Sequence, residues 1–348
     1  MNAHHKILKI AATCGVSSIA LAIASPAWAD NTPECNLNGG ALSLTTECGA
    51  YSKATADYAT AVGAYSEATG PNATVVGAEA KASADYATAL GALTKATGDQ
   101  ATALGALSEA SSNAATAIGT GAIASASNTT AVGWHATAVG DSGAAFGLVA
   151  SAGIQGTAIG SNANALGAGS TGVGFGASAS GLRSVALGNN AQAQSIFTVA
   201  LGERANATGL ESTAVGTQSL ASGGQAAAFG KLATASGLYS LAVGRLSEAT
   251  GEGSSAFGGT AQATGQYSTA IGYFSRASKQ DSMALGSSSF ASEIYATAMG
   301  HGAWASGNSA NAIGTFAIAS GDSSIAFGAG ANSSSNNAVA RRGLELRP

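Results

Sequence analysis

From about residue 50 onward, small, apolar and polar positions recur with a period that fits neither a helix nor a long strand. A glycine stands at 63, 77, 91, 105, 119, 133 and 147, each fourteen residues after the last. One thirteen-residue step leads to Gly160, and the fourteen-residue spacing then runs on to Gly328, giving twenty registered glycines. The residue before each is always large and apolar, from Val62, Val76 and Leu90 through Phe146, Leu201 and Phe229 to Met299, Ile313 and Phe327. Two residues before the glycine stands Ala in eighteen of twenty units, the exceptions being Val75 and Gly172. Three residues after it stands Ala, Ser or Thr, and five after it Ala in nineteen units, the last having Ser333. The positions two and four after the glycine vary freely, from Tyr65 to Glu79 and from Lys81 to Trp304, as solvent-facing side chains do. A second glycine recurs seven residues on, as at Gly70, Gly98, Gly209 and Gly237, and glycine supplies the positive backbone angles of a tight corner.

A unit this short cannot bury an apolar face alone and must stack on its neighbours. Helical solenoids use longer units, of roughly 33 to 47 residues. The pattern therefore predicts an all-β fold, a β-solenoid of about twenty coils, each with two short strands and two turns. At about 4.8 Å per coil, nineteen steps make a rod roughly 90 Å long. The pre-glycine column reads as the core. The Thr column at Thr60, Thr74, Thr88, Thr102, Thr116 and Thr130 lies two residues from it on the same strand face, so its side chains read as inward too. One large side chain per coil is a thin core for so much surface. Self-association follows as the expected remedy, with the Ala and Ser columns as a close-packed seam between parallel copies.

Composition agrees with a repetitive, ordered chain. Charged residues make up 9% and hydrophobic ones 46%, with 49 glycines and 4 prolines, which is unlike a disordered chain. With a net charge of -4 and no basic cluster, nothing suggests a nucleic acid or an anionic membrane surface as partner, and none is expected. His4, His5, Lys6 and Lys9 precede an apolar stretch that ends at Ala27-Trp28-Ala29, the layout of an export signal over residues 1–29. Cys14 would leave with the signal, so that Cys35 and Cys48 remain as an even pair in an oxidising compartment and are expected to form a disulfide in a cap segment spanning residues 30–50.

The units Ser184-Val185-Ala186-Leu187-Gly188, Ser240-Leu241-Ala242-Val243-Gly244, Ser268-Thr269-Ala270-Ile271-Gly272 and Ser324-Ile325-Ala326-Phe327-Gly328 resemble the S-V-A-I-G repeat of YadA-like heads in trimeric autotransporter adhesins. Segments such as Ser247-Glu248-Ala249-Thr250-Gly251 are similar to the second half of that unit. The resemblance covers residues 51–340. It implies a left-handed parallel β-roll, a homotrimer, and a cell-surface or secreted adhesin that attaches to host matrix, cells or abiotic surfaces. The family's neck, stalk and outer-membrane anchor are not visible in the chain. The next unit opens in register at Asn337-Ala338-Val339-Ala340, but Arg341 and Arg342 stand where an apolar residue and a glycine are called for. A charge in a core column is costly to bury, so stacking is expected to end there, leaving residues 341–348 as an out-of-register tail. A truncated head and a natural short form both fit this ending. The short coil around residues 148–157 is expected to bulge or to absorb its missing residue in a turn.

Nothing in the sequence points to an enzyme, a cofactor or a metal. Beyond the signal, the histidines are His135 and His301, and neither sits in a nucleophile or metal motif. Gly172-Val173-Gly174-Phe175-Gly176 lacks the following helix that a phosphate loop needs. Acyltransferases built on left-handed β-helices have a six-residue period, and fourteen does not reduce to six. The variable columns turn aromatic near the C-terminal end, where Phe274, Phe290, Trp304 and Phe316 form a candidate ligand-contact patch. Earlier in the chain, Glu67, Lys81, Lys95 and Glu109 read as a solvating ladder. The alternative to an adhesin is an ice-binding or structural surface solenoid, motivated by the Thr column, which is broken later by Val185, Val199, Leu241 and Ile325, and weakened by that column's inward reading.

Overall fold

The computed structural model describes residues 35–40 and 43–342. The predicted signal, residues 30–34 and the last six residues of the tail lie outside them. Among the described residues there is no helix, and the chain is a parallel β-solenoid of about twenty-one turns. Each fourteen-residue coil contributes one three-residue and one two-residue strand, as in Thr60–Val62 and Lys53–Ala54. Equivalent strands pair in register with the coils on either side, Thr102 with Thr88 and Thr116, and Ala110 with Ala96 and Ala124. Two parallel sheets therefore run the length of the rod, one from each strand type.

The core is made of alanine. In the three-residue strands from Thr60–Val62 to Ile325–Phe327 the middle residue is buried and its two neighbours face outward, as Thr60 and Val62 do around Ala61. In the two-residue strands the second residue, Ala in all but the last, where it is Ser333, is buried and the residue before it faces out, as with Lys81 and Ala82. Ser66, Thr94 and Ala150, three residues after the repeat glycine, are fully buried, as are Ala59, Thr129 and Ser184, four residues before it. Among the described residues, the largest fully buried side chains are Glu47, Val75 and the threonines Thr94, Thr129 and Thr198.

The pre-glycine column is therefore not the core. Val76, Leu90, Phe146, Leu201, Phe229 and Phe327 are each more than a third exposed in the single chain. The Thr column shares that strand face, but the face points out of the coil. The reason is geometric. Strands of two and three residues, joined by corners only a few residues long, hold the two sheets too close for anything much beyond Ala, Ser or Thr to fit between them. The large apolar side chains consequently lie outside. The Ala and Ser columns are internal to each coil and cannot supply a seam between copies.

Hydroxyls inside the coil bond to its corners: Ser66 Oγ donates to the Gly63 carbonyl at 2.8 Å and Thr94 Oγ1 to that of Gly91 at 2.9 Å. Repeat glycines such as Gly63 hold a positive φ of 131°. The second set of glycines serves a different need, because a Cβ on Gly237 would lie 2.0 Å from the Gly251 carbonyl oxygen. The left-handed corner positions are instead held by residues such as Tyr65 and Asn72, at φ 58° and 56°. Corners also bond from coil to coil, Gly77 N–H to the Val62 carbonyl at 2.8 Å and Tyr65 N–H to that of Ala50 at 2.9 Å.

At the N-terminal end, β1 (Cys35–Gly40) pairs antiparallel with β2 (Ser43–Cys48), and β2 pairs in parallel with Thr60–Val62. A disulfide joins Cys35 to Cys48, with their Cα atoms 4.2 Å apart. Glu47 is buried in the position that Ala fills in later coils, and its Oε1 accepts the Ala54 N–H at 2.6 Å. Ala54 lies in the first two-residue strand, where no earlier strand of that sheet occurs among the described residues, so the carboxylate takes the place of a backbone acceptor. The thirteen-residue coil keeps both strand registers, Ala144 with Thr157 and Ser151 with Asn164. Its deletion is absorbed in the corner before Thr157, with Gln155 taking the left-handed position at φ 51°. At the other end, Val339–Arg341 still pairs with Ile325–Phe327. Arg341 continues the register because its column faces outward, where a guanidinium stays exposed.

Candidate functional site

Three outward faces carry whatever binding the rod performs. The first is the exposed side of the three-residue strands, on which the Thr column and the pre-glycine column form a continuous stripe. Exposure along it reaches 43% at Ile159 and Ile271 and 55% at Phe327. Apolar surface as extensive as this on a single chain marks an interaction site.

The second face is the outer side of the two-residue strands, where one residue per coil points to solvent. At the N-terminal end this row is ionic: Lys53 and Lys81 bridge Glu67 at 3.4 and 2.9 Å. The Lys81 hydrogen bond, with smaller contributions from its charge and from Lys53, holds the Glu67 carboxyl below its ordinary range. Further along, the row carries a side-chain hydrogen-bond relay centred on the Gln262 amide. Gln262 Nε2 donates to Glu248 at 3.0 Å, and Arg276 Nε donates to Gln262 Oε1 at 2.8 Å. It then turns aromatic. The Arg276 guanidinium lies 5.4 Å from the Phe290 ring centroid, and Phe290 meets Trp304 edge to face at 5.9 Å.

The aromatic patch expected from the sequence is thus split over two columns. Phe290 and Trp304 are in contact on the sheet face. Phe274 and Phe316 sit at left-handed corners, at φ 55° each, where Phe274 packs edge to face on Tyr273 and Phe316 on His301. Phe316 leans back over Gly302, its ring taking the space that a side chain there would need, and a notch of about 280 Å³ is lined by Ser288, Phe290, Gly302, Ala303 and Trp304.

The third face is the opposite corner, which the sequence reading passed over. Leu182, Ile196, Leu210 and Leu238 share one corner column and are 41 to 48% exposed, with Phe197 beside them under the Arg183 guanidinium. Their signal was available in the fourteen-residue alignment, since the same column carries Asp85, Asp99 and Asp141 earlier and Glu252 and Gln266 later. Glu47 was legible in the same way: Gly49 extends the glycine series one step back and places Glu47 in the Ala column. Among the described residues, no group of three or more His, Cys, Asp or Glu side chains is placed to hold a metal ion.

These features define a repeat-built β-solenoid whose surface consists of long parallel columns. The YadA head domain repeat matches residues 49–66, 68–94, 96–122, 151–177, 166–191, 193–219, 221–247, 249–275, 277–303, 291–317 and 319–340, and the chain belongs to that family. Among solved structures, the collagen-binding domain of the Yersinia adhesin YadA is 26% identical, with a TM-score of 0.24, covering 44% of this chain and 70% of that one. No protein of curated function matches the chain.

Proposed function

We propose that the chain is the head of a trimeric adhesin, exported to the cell surface or secreted, which attaches by polyvalent, non-catalytic contacts. The observation that carries the trimer is the outward-facing pre-glycine column, apolar in all twenty repeats from Val62 to Phe327. Three parallel copies around one axis cover that column in every coil at once, because a translational repeat presents the same stripe at each level. This seam replaces the one expected from the Ala and Ser columns. Assembly leaves the two-residue strands pointing outward on three sides. Weak contacts repeated along them gain strength through effective concentration.

The outward Thr column restores one argument for an ice-binding surface. The pre-glycine column favours a protein seam, since it stays apolar through all twenty repeats while the Thr column gives way to Val185, Val199, Leu241 and Ile325. Adhesion of the purified chain to collagen, other matrix proteins, cultured cells and polystyrene tests the proposal, collagen being the ligand named for the Yersinia domain. Binding to at least one surface is expected, together with no thermal hysteresis. Hysteresis without adhesion would replace the adhesin reading with the ice-binding one.

A further inference from the structure

We propose that the notch between Phe290 and Trp304 is a saccharide site that takes one ring of an acidic glycan, with Trp304 as stacking platform and Arg276 as the carboxylate-binding cation. The proposal deepens the adhesin reading and rests on it.

Three observations select this ligand. The first is shape and surface. The notch holds about 280 Å³, below the range of pockets that enclose drug-sized ligands, so it admits a single ring. Its walls are the Phe290 ring and the half-exposed indole of Trp304. Aromatic faces carry negative charge density and attract the weakly positive C–H groups on the flat side of a pyranose.

The second is the state of the backbone. Every N–H that lines the notch and could greet a peptide is already used in coil stacking. Ser288 donates to Tyr273 at 2.8 Å, Phe290 to Ala303 at 2.8 Å, Gly302 to Ser287 at 2.9 Å and Trp304 to Ala317 at 2.8 Å. An extended peptide that docks on a sheet draws its affinity from main-chain bonds at an open edge, and these donors are spent. Recognition is left to rings and polar side chains, which suits a sugar with its own ring of hydroxyls.

The third is charge. Arg276 stands in the same column one coil before Phe290, its guanidinium set against that ring and its Nε fixed by Gln262. A planar guanidinium so held presents a fork that matches a carboxylate. The acid next along this row, Glu248, is two coils from Arg276 and is engaged by Gln262. The guanidinium lies against Phe290 at the border of the notch rather than in its lining, so a ring stacked on Trp304 meets complementary charge when its carboxylate extends past Phe290. Gly302 lines the notch without a side chain of its own, between Ser288 and Phe316 in the corner column.

The test is a ligand-observed NMR titration of the assembled full chain with tetragalacturonate, 3′-sialyllactose and neutral maltotetraose. At least one acidic saccharide is expected to bind, at least ten-fold more weakly to Trp304→Ala and within about three-fold of wild type to Trp304→Tyr, which keeps a stacking face. Arg276→Gln should erase the preference for the acidic over the neutral sugar. The proposal is overturned if neither acidic saccharide binds, if binding survives Trp304→Ala, or if maltotetraose binds as well as the acids. Circular dichroism and trimer mass of each variant separate loss of the site from loss of fold. Adhesion measured in parallel distinguishes the two levels: a chain that adheres but ignores all saccharides defeats this inference alone, whereas a chain that binds these saccharides but adheres to no surface defeats the adhesin reading.

Discussion

Leu201 and Ala200 are adjacent in one strand and make opposite predictions about where the chain's apolar energy lies. Ala200 is fully buried inside the coil, while Leu201 is 42% exposed on the outward stripe. Fully burying a leucine contributes about 1.5–3 kcal/mol, so covering the remaining 42% in a trimer is worth about 0.6–1.3 kcal/mol per chain, or about 2–4 kcal/mol per layer of three. Leu201→Asp removes that term and puts three carboxylates into the seam, a cost of several kcal/mol more. Sedimentation velocity should show the wild type as a trimer and Leu201→Asp shifted to smaller species across the micromolar range. Two gentler variants keep the test independent of folding. Leu201→Cys should cross-link between chains under mild oxidation, and Ala200→Cys, enclosed within its own coil, should neither cross-link nor react with a thiol reagent. Cross-linking through Ala200→Cys but not through Leu201→Cys would refute the assignment of inward and outward faces, and a monomeric wild type would refute the seam.

Other expectations concern the ends and the corners. Removing the disulfide with Cys35→Ser and Cys48→Ser should cost about 3 kcal/mol, the loop-closure value for a ring of this size. Because each coil contacts only its neighbours, hydrogen exchange should accelerate in the first few coils and remain unchanged beyond the middle of the rod. Glu47→Ala should destabilise the same end by about 1–3 kcal/mol by leaving the Ala54 N–H buried without its acceptor, and Glu47→Gln, which keeps an accepting oxygen, should cost less in chemical denaturation. The Glu67 carboxyl is held low by Lys81 and Lys53, so the stability it adds is present above the ordinary carboxylate range and is lost as pH falls through its depressed value. The exposed pair contributes at most about 1 kcal/mol, and thermal melts of wild type and Glu67→Gln should differ at neutral pH and converge in acid. Gly237→Ala should disrupt its coil, since the added Cβ would sit 2.0 Å from the Gly251 carbonyl oxygen, and a melt indistinguishable from wild type would contradict that contact.

The fourteen-residue glycine series determined the architecture by itself, because a coil can be closed only if its corners recur at a fixed step and its strands stay in register with their neighbours. The number of coils, the freely varying columns and the small-residue columns were all legible from it. Which face points inward was not. The rule that large apolar side chains go inside made Val62, Leu201 and Phe229 the core, and only the tertiary structure decided otherwise: the sheets lie so close that Ala61, Ala200 and Ala228 fill the gap, leaving their larger neighbours outside. The same inversion explains Arg341, whose charge lies in an outward column and lets pairing with Phe327 continue. The aromatic patch was visible as composition but not as geometry. Whether Phe274 and Phe316 share a surface with Phe290 and Trp304 depends on corner angles and on how Phe316 packs over Gly302, which arise only once successive coils are stacked.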